Sequence, residues 1–256
     1  MGGFSAEWLA MREGADHRAR NPEVAAALRA AFAGRAGPRC VDIGCGTGSN
    51  VRALAPLLPP GQGWTLVDRD PALLAAATAA LGTGHAAREA DLGGDLEAAM
   101  GGGIDLATAS ALFDLVSAPF VERFAAAVSR RGAAAMVALT YDGAMAWDPA
   151  HPDDEAVRAA FNADQRRDKG FGPALGPDAA EAVEAVFRRA GYRVVAGPSP
   201  WRLGPGEPAL IRALRDGVAD AAGAALGTAA VAAWRAAPCA GAVVGHRDML
   251  ALPPAS

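Results

Sequence analysis

Lysine is nearly missing from this chain: Lys169 is the only one among 24 basic residues in 256. Cysteine is scarce too, with Cys40, Cys45 and Cys239 alone. An odd, sparse set fits a reducing compartment better than a disulfide framework. Cys40 and Cys45 have no CxxC partner pair and no nearby histidine, so no metal site is expected. The formal net charge of −4 leaves no excess of basic residues for a broad nucleic-acid surface. Long apolar runs are absent as well; the most apolar late stretch, 218–233, is interrupted by Asp220. Met1 to Ala10 has neither a basic leader nor an apolar core. These absences predict a cytoplasmic protein that binds neither membrane nor nucleic acid; they leave its oligomeric state open.

What is present is enough for a core. Half the residues are hydrophobic (52%) and only 20% are charged, which excludes a disordered chain. Alanine makes up about a quarter of the sequence, far above ordinary usage. Paired with arginine in place of lysine, that excess reflects a GC-rich genome, so alanine is weak evidence for helix here. The length fits one domain, 1–256, with appendages rather than two separate halves.

Hydrophobic patterning alternates between strand and helix. Short apolar runs at 39–43, 63–67, 85–90, 104–109 and 133–140 read as strands, each followed by a helical segment. Residues 1–36 read as an N-terminal helical cap, with Asn21-Pro22 opening its second helix. Regularity breaks over 143–177, a stretch of the length expected for a substrate lid. A helix to Arg189, a strand at 192–196, two Ala-rich helices within 207–237 and a last strand at 242–252 follow. This is an α/β chain with a doubly wound, mainly parallel Rossmann-like sheet and an insertion after strand 5.

Ligands of doubly wound sheets bind at the carboxyl ends of the strands. The first strand runs into Gly44-Cys45-Gly46-Thr47-Gly48, which brings backbone close to a ligand and precedes a helix start. Asp68 ends the second strand, 20 residues after Gly48, where a carboxylate can accept from both hydroxyls of a ribose. Asp91-Leu92 follows the third strand, where a carboxylate can receive an exocyclic adenine amine. Together these are partners for a nucleoside.

Val41 to Asn50, Asp68, Asp91 and Asp105 to Leu115 resemble the class I S-adenosylmethionine-dependent methyltransferases, bacterial small-molecule enzymes in particular. The likeness spans roughly residues 38–142. It implies a seven-stranded sheet whose last strand is reversed, and S-adenosyl-L-methionine as cofactor. Gly44, Cys45, Gly46 and Gly48 would pass along the methionine part, with Asn50 beyond them and Asp42 beneath. Asp68 would bind the ribose, Arg69 flank the adenine, Asp91 and Leu92 hold its edge, and Ala109-Ser110 lie beside the sulfonium. A NAD(P)-dependent oxidoreductase and a non-catalytic cofactor-binding subunit are the alternatives. A GxGxxG fingerprint fails here, because its third small residue falls on Ser49 or Val51. Asp42 also suits an ammonium group better than a pyrophosphate.

The acceptor is harder to read. Ala109-Ser110-Ala111-Leu112 stands where enzymes acting on nucleobases or amides carry an Asn/Asp-Pro-Pro-Tyr/Phe loop, which favours a small-molecule acceptor with an O, N or C nucleophile. Asp114 and Tyr141, after the fourth and fifth strands, are the candidate catalytic residues. Arg12, Asp142, Trp147, Asn162, Gln165, Lys169, Phe171 and Arg202 are candidate substrate contacts, since aromatic and polar groups mixed in an insertion suit a lid. Trp201 reads as core or as part of the same pocket. His151 with Asp153 and Asp154 reads as a helix cap rather than a metal site, and His17, His85 and His246 carry no assigned role.

Overall fold

Five apolar runs become parallel strands: β1 (Arg39–Ile43), β2 (Gly63–Asp68), β3 (His85–Glu89), β4 (Leu106–Ser110) and β5 (Ala134–Asp148). The structure, a computed structural model, describes residues 4–254; positions 1–3 of the expected cap lie outside it. Next come β6 (Arg193–Pro198), β7 (Trp201–Leu203) and β8 (Gly241–Leu252). The spatial order is β3-β2-β1-β4-β5-β8-β6, with β7 paired to β8. β8 runs antiparallel between β5 and β6, so the reversed last strand is present.

Two expectations need correction. The sheet has eight strands, not seven, because β8 extends far enough for Trp201 to pair with Val244 and Leu203 with Ala242. The irregular stretch expected from residue 143 begins later. Met145 to Asp148 continue β5 and pair with Val244 to Gly241, because β8 offers them an open ladder of backbone groups.

Helices cover both faces. On one lie α2 (Pro22–Phe32), α3 (Ser49–Leu54) and α4 (Pro71–Leu81), whose Val24, Leu28, Phe32, Leu54 and Leu74 pack on Leu66 and Leu106. On the other lie α5 (Leu96–Met100), α6 (Ala118–Arg130) and α8 (Ala179–Arg189). α6 carries Phe120, Val121, Phe124 and Val128 at helical spacing, and all four are buried. Phe124 meets Phe113 at 5.0 Å and Phe187 at 6.0 Å between ring centroids, both edge to face. Beyond the carboxyl ends of the strands, α1 (Ala6–Ala19), α7 (Asp154–Gln165), α9 (Pro208–Leu226) and α10 (Thr228–Ala236) enclose a third apolar cluster around Trp147, Trp201, Ile211 and Trp234.

The start of α2 is tied down chemically. Asn21 Oδ1 accepts from the backbone N–H groups of Glu23 and Val24 at 3.0 and 3.1 Å, and its Nδ2 donates to the Pro198 carbonyl at 2.9 Å. Asn21→Ala is expected to lower unfolding free energy by about 1–2 kcal/mol, read from urea denaturation, because an N-cap and a tie to β6 are both lost. No helix among the described residues is long and apolar enough to cross a membrane.

Candidate functional site

The turn between β1 and α3 is shaped by backbone that glycine alone adopts without strain. Gly44, Gly46 and Gly48 have φ of 65°, 53° and 80°. A Cβ at Gly46 would stand 3.0 Å from Leu9 of α1, so the N-terminal helix closes directly over this turn. Asp68 holds the turn from β2: its Oδ2 accepts from Gly46 N–H at 2.8 Å and its Oδ1 from Asp70 N–H at 3.1 Å. Each oxygen retains acceptor capacity. Asp91 accepts from Gly93 N–H at 3.0 Å in a tight turn after β3. These groups surround a cavity of about 510 Å³ at the carboxyl ends of β1 to β4. Gly44, Cys45, Gly46, Asn50, Asp68, Arg69, Asp91, Leu92 and Ser110 all line it.

A buried polar network supports the cavity from below. Asp42 is 1% exposed; its Oδ1 accepts from Asn50 Nδ2 and Thr108 Oγ1, both at 2.6 Å. Burial pushes its carboxyl up to about 6, against the lowering pull of those two hydrogen bonds. Arg20, which the sequence reading passed over, donates to Asn50 Oδ1 at 2.9 Å and Ser110 Oγ at 3.3 Å. Its Nε and Nη1 are buried without a partner. Of its flanking acids, Asp16 lies four residues back, whereas Asp42 and Asp248 are distant in sequence and gave no signal of it.

A second cavity, of about 460 Å³, adjoins the first. Phe4, Arg12, Ala111 and Leu115 line both. Its walls are mostly apolar: Trp8, Leu139, Met145, Phe161, Trp201, Leu214 and Val218. Three titratable groups besides Arg12 face it: Asp114, Tyr141 and His246. Asp114 Oδ1 is buried without a partner, and burial pushes its carboxyl up to about 6. Tyr141 donates its hydroxyl proton to Asn162 Oδ1 at 2.7 Å, and burial pushes its pKa up further. His246 is driven down to about 3 by burial and by Arg12, so its ring is neutral. The Arg12 guanidinium lies 4.9 Å from the Trp201 ring and bonds Asp16 at 3.0 Å; Asp16 also accepts from Trp201 Nε1 at 2.9 Å.

The two cavities meet where the backbone is strained. Among the described residues, Ala111 and Leu139 are the non-glycine ones with positive φ, 50° and 53°. Ala111 N–H bonds the Ala138 carbonyl at 2.9 Å, and Leu139 N–H bonds Asp248 Oδ1 at 2.9 Å. α1, the common wall, is held by polar ties as well as by Trp8, Ala15 and Ala19 in the third apolar cluster. Glu13 takes two hydrogen bonds from Arg52 at 2.6 and 2.7 Å, and His17 Nε2 lies 3.0 Å from the Ser49 carbonyl. The Arg52 hydrogen bonds hold the Glu13 carboxyl below its ordinary range. Their stabilisation is therefore present above that range and lost as pH falls through the lowered value.

Solved structures share this architecture. No protein-family model and no curated protein matches the chain. A candidate methyltransferase from Bacillus halodurans aligns with a TM-score of 0.55 at 12% identity, over 91% of this chain and 100% of its own. The chain shares the fold of that structure. The YcgJ protein from Bacillus subtilis aligns at 0.54 with 12% identity, over 92% and 100% of the two chains. A cyclopropane-fatty-acyl-phospholipid synthase-like protein from Lactobacillus casei aligns at 0.53 with 16% identity, over 98% and 95%. The antiparallel β8 sets this sheet apart from a wholly parallel doubly wound sheet.

Not every expected site residue reaches a cavity. Asp42 and Ala109 are buried beneath the first one, and Gly48 packs toward Leu81 and Ala77 of α4. Lys169 and Phe171 line the first cavity, not the second. Lys169 Nζ is held 2.8 Å from Asp164 Oδ2, and Phe171 packs edge-on to Phe120 at 5.1 Å. Gln165 does line the second cavity, and Asn162 reaches it through Tyr141. Asp142 instead closes a turn by accepting from Ala144 N–H at 3.0 Å, while Arg202 is exposed on β7. Trp147 stacks edge-on to Trp234 at 5.2 Å within the third apolar cluster. Conversely, His246, given no role from sequence, faces the second cavity, and so does Trp201, for which the sequence left both core and this pocket open.

Proposed function

We propose that this chain transfers a methyl group from S-adenosyl-L-methionine to a small-molecule acceptor. The observation that carries the reading is the pair of adjoining cavities: one edged by strand-end carboxylates and a glycine turn, the other walled mostly by apolar side chains. The residues present fit the cofactor. Asp68 and Asp91 have acceptor capacity facing the first cavity, and Gly46 lines it beneath Leu9. Asp68 would take the ribose hydroxyls, Asp91 the adenine amine, and Arg69 and Leu92 the faces around it. Arg20 would act through Asn50 and Ser110, which it holds in the cavity wall, and the Asp42 network below suits the ammonium of the methionine part. When bound, the cofactor supplies a methyl group already activated on a positively charged sulfur.

The protein's own work is then positioning and exclusion of water. Arg12, Ala111 and Leu115, shared by both cavities, form the boundary across which the acceptor must reach. α1 closes over both cavities. A nicotinamide dinucleotide would have to set its pyrophosphate above the buried Asp42 carboxylate. Calorimetric titration tests the reading directly. S-adenosylhomocysteine is expected to bind one to one, and NAD to give no binding heat. Binding of NAD in place of S-adenosylhomocysteine would overturn it.

A further inference from the structure

We infer that the second cavity takes an uncharged aromatic molecule bearing a hydroxyl group, with Asp114 receiving the hydroxyl proton. The transfer chemistry rests on the methyl-transfer reading; the ligand class rests on the cavity walls alone. Trp8, Phe161, Trp201 and Tyr141 supply flat apolar surfaces on several sides. Besides Ser5, Gln165, His246 and the ion-paired Arg12, the polar groups lining the space are Asp114 and Tyr141. Asp114 Oδ1 is buried with no partner, and the Tyr141 hydroxyl already donates its hydrogen bond to Asn162. Both oxygens are met best by a ligand that brings a donor.

Charge excludes two other classes. A carboxylate would meet Asp114 without a free cation to offset it, because Arg12 is paired with Asp16 and Lys169 with Asp164. An alkylammonium ion matches Asp114 in charge, but among mostly apolar walls it loses more hydration than a neutral hydroxyl does, and it would stand beside the Arg12 guanidinium. A hydroxyl brings lone pair and proton together. Its oxygen lone pair forms the new bond to the methyl carbon, the O–H electron pair stays on oxygen, and the proton passes to Asp114. The carbon–sulfur electron pair remains with the sulfur, so atoms and charge balance.

The groups around Asp114 are Arg12 from α1, Lys169 from the loop after α7, Tyr141 from β5 and His246 from β8. Arg12 and Lys169 are ion-paired, Tyr141 stays protonated and His246 stays neutral. Asp114, raised to about 6 by burial, is the member of this set that changes charge in mildly acidic solution.

Fluorescence titration of naphthol into the protein, alone and saturated with S-adenosylhomocysteine, tests the assignment, with naphthoate and naphthylmethylamine as charged controls. Naphthol is expected to bind most tightly, and to weaken about tenfold as pH falls from about 7.5 to about 5. Asp114→Asn is expected to remove that pH dependence. Gly217 of α9 lines the cavity, and a Cβ there meets nothing within 4 Å. Gly217→Leu should therefore fold, weaken naphthol by at least about tenfold through filled space, and leave S-adenosylhomocysteine affinity unchanged. Equal or tighter binding of either charged control, or naphthol binding untouched by Gly217→Leu, would overturn the inference. Loss of S-adenosylhomocysteine binding in the parent protein would count against methyl transfer instead, and naphthol titration of the unloaded protein would still decide the ligand class.

Discussion

Asp68→Ala is expected to weaken S-adenosylhomocysteine binding by about 10²–10³-fold, or some 3–4 kcal/mol, from two charged hydrogen bonds lost together. The loss has a direct part and an indirect part. Directly, a carboxylate that would grip both ribose hydroxyls is gone. Indirectly, Gly46 N–H loses its 2.8 Å partner, and the glycine turn loses the contact that holds it to β2. Asp68→Asn separates the two, because one amide oxygen still accepts a hydrogen bond. That variant is expected to lose about tenfold, close to one charged hydrogen bond. Calorimetry reads both affinities, and urea denaturation checks that the fold persists. An Asp68→Ala protein that binds with parental affinity would remove Asp68 from the cofactor site.

The first cavity was legible from sequence because its edges are local. Each strand of a parallel sheet delivers its last residues to the same end, so Gly44, Asp68 and Asp91 needed only correct strand boundaries to fall around one space. The second cavity was largely illegible for the opposite reason. Its walls come from α1, β5, α7, β7, α9 and β8, which meet only after the chain has folded. Trp147 illustrates the difficulty: in a polar, irregular stretch it read as a lid residue, yet β5 continues through it and Trp234 of α10 covers it. Lys169 stood out by composition, but nothing in its spacing pointed to Asp164 as its partner. β7, three residues long, was too short to show a period.

A second large effect is expected at Asp248, which no motif marks. It sits in β8, fully buried, and its two carboxylate oxygens serve two distant backbone donors. Oδ1 accepts from Leu139 N–H and Oδ2 from Asn21 N–H, both at 2.9 Å. The first bond holds the left-handed Leu139 in the irregular part of β5; the second fixes the entry to α2. Asp248 also opposes the burial that lowers the Arg20 pKa. Asp248→Ala leaves two buried N–H groups unsatisfied, removes a counter-charge from a buried guanidinium and releases a strained turn. The expected cost is about 3–5 kcal/mol. In a chain of this size that lowers the melting temperature by roughly 10–15 °C. Asp248→Asn keeps one acceptor but turns an amide N–H toward a backbone N–H, so it should recover only part of the loss. Because Leu139 and Tyr141 both face the second cavity, the same variant should loosen acceptor binding more than S-adenosylhomocysteine binding. Calorimetric melting of the parent and both variants measures the stability ranking, and an Asp248→Ala protein as stable as the parent would show that neither backbone tie matters.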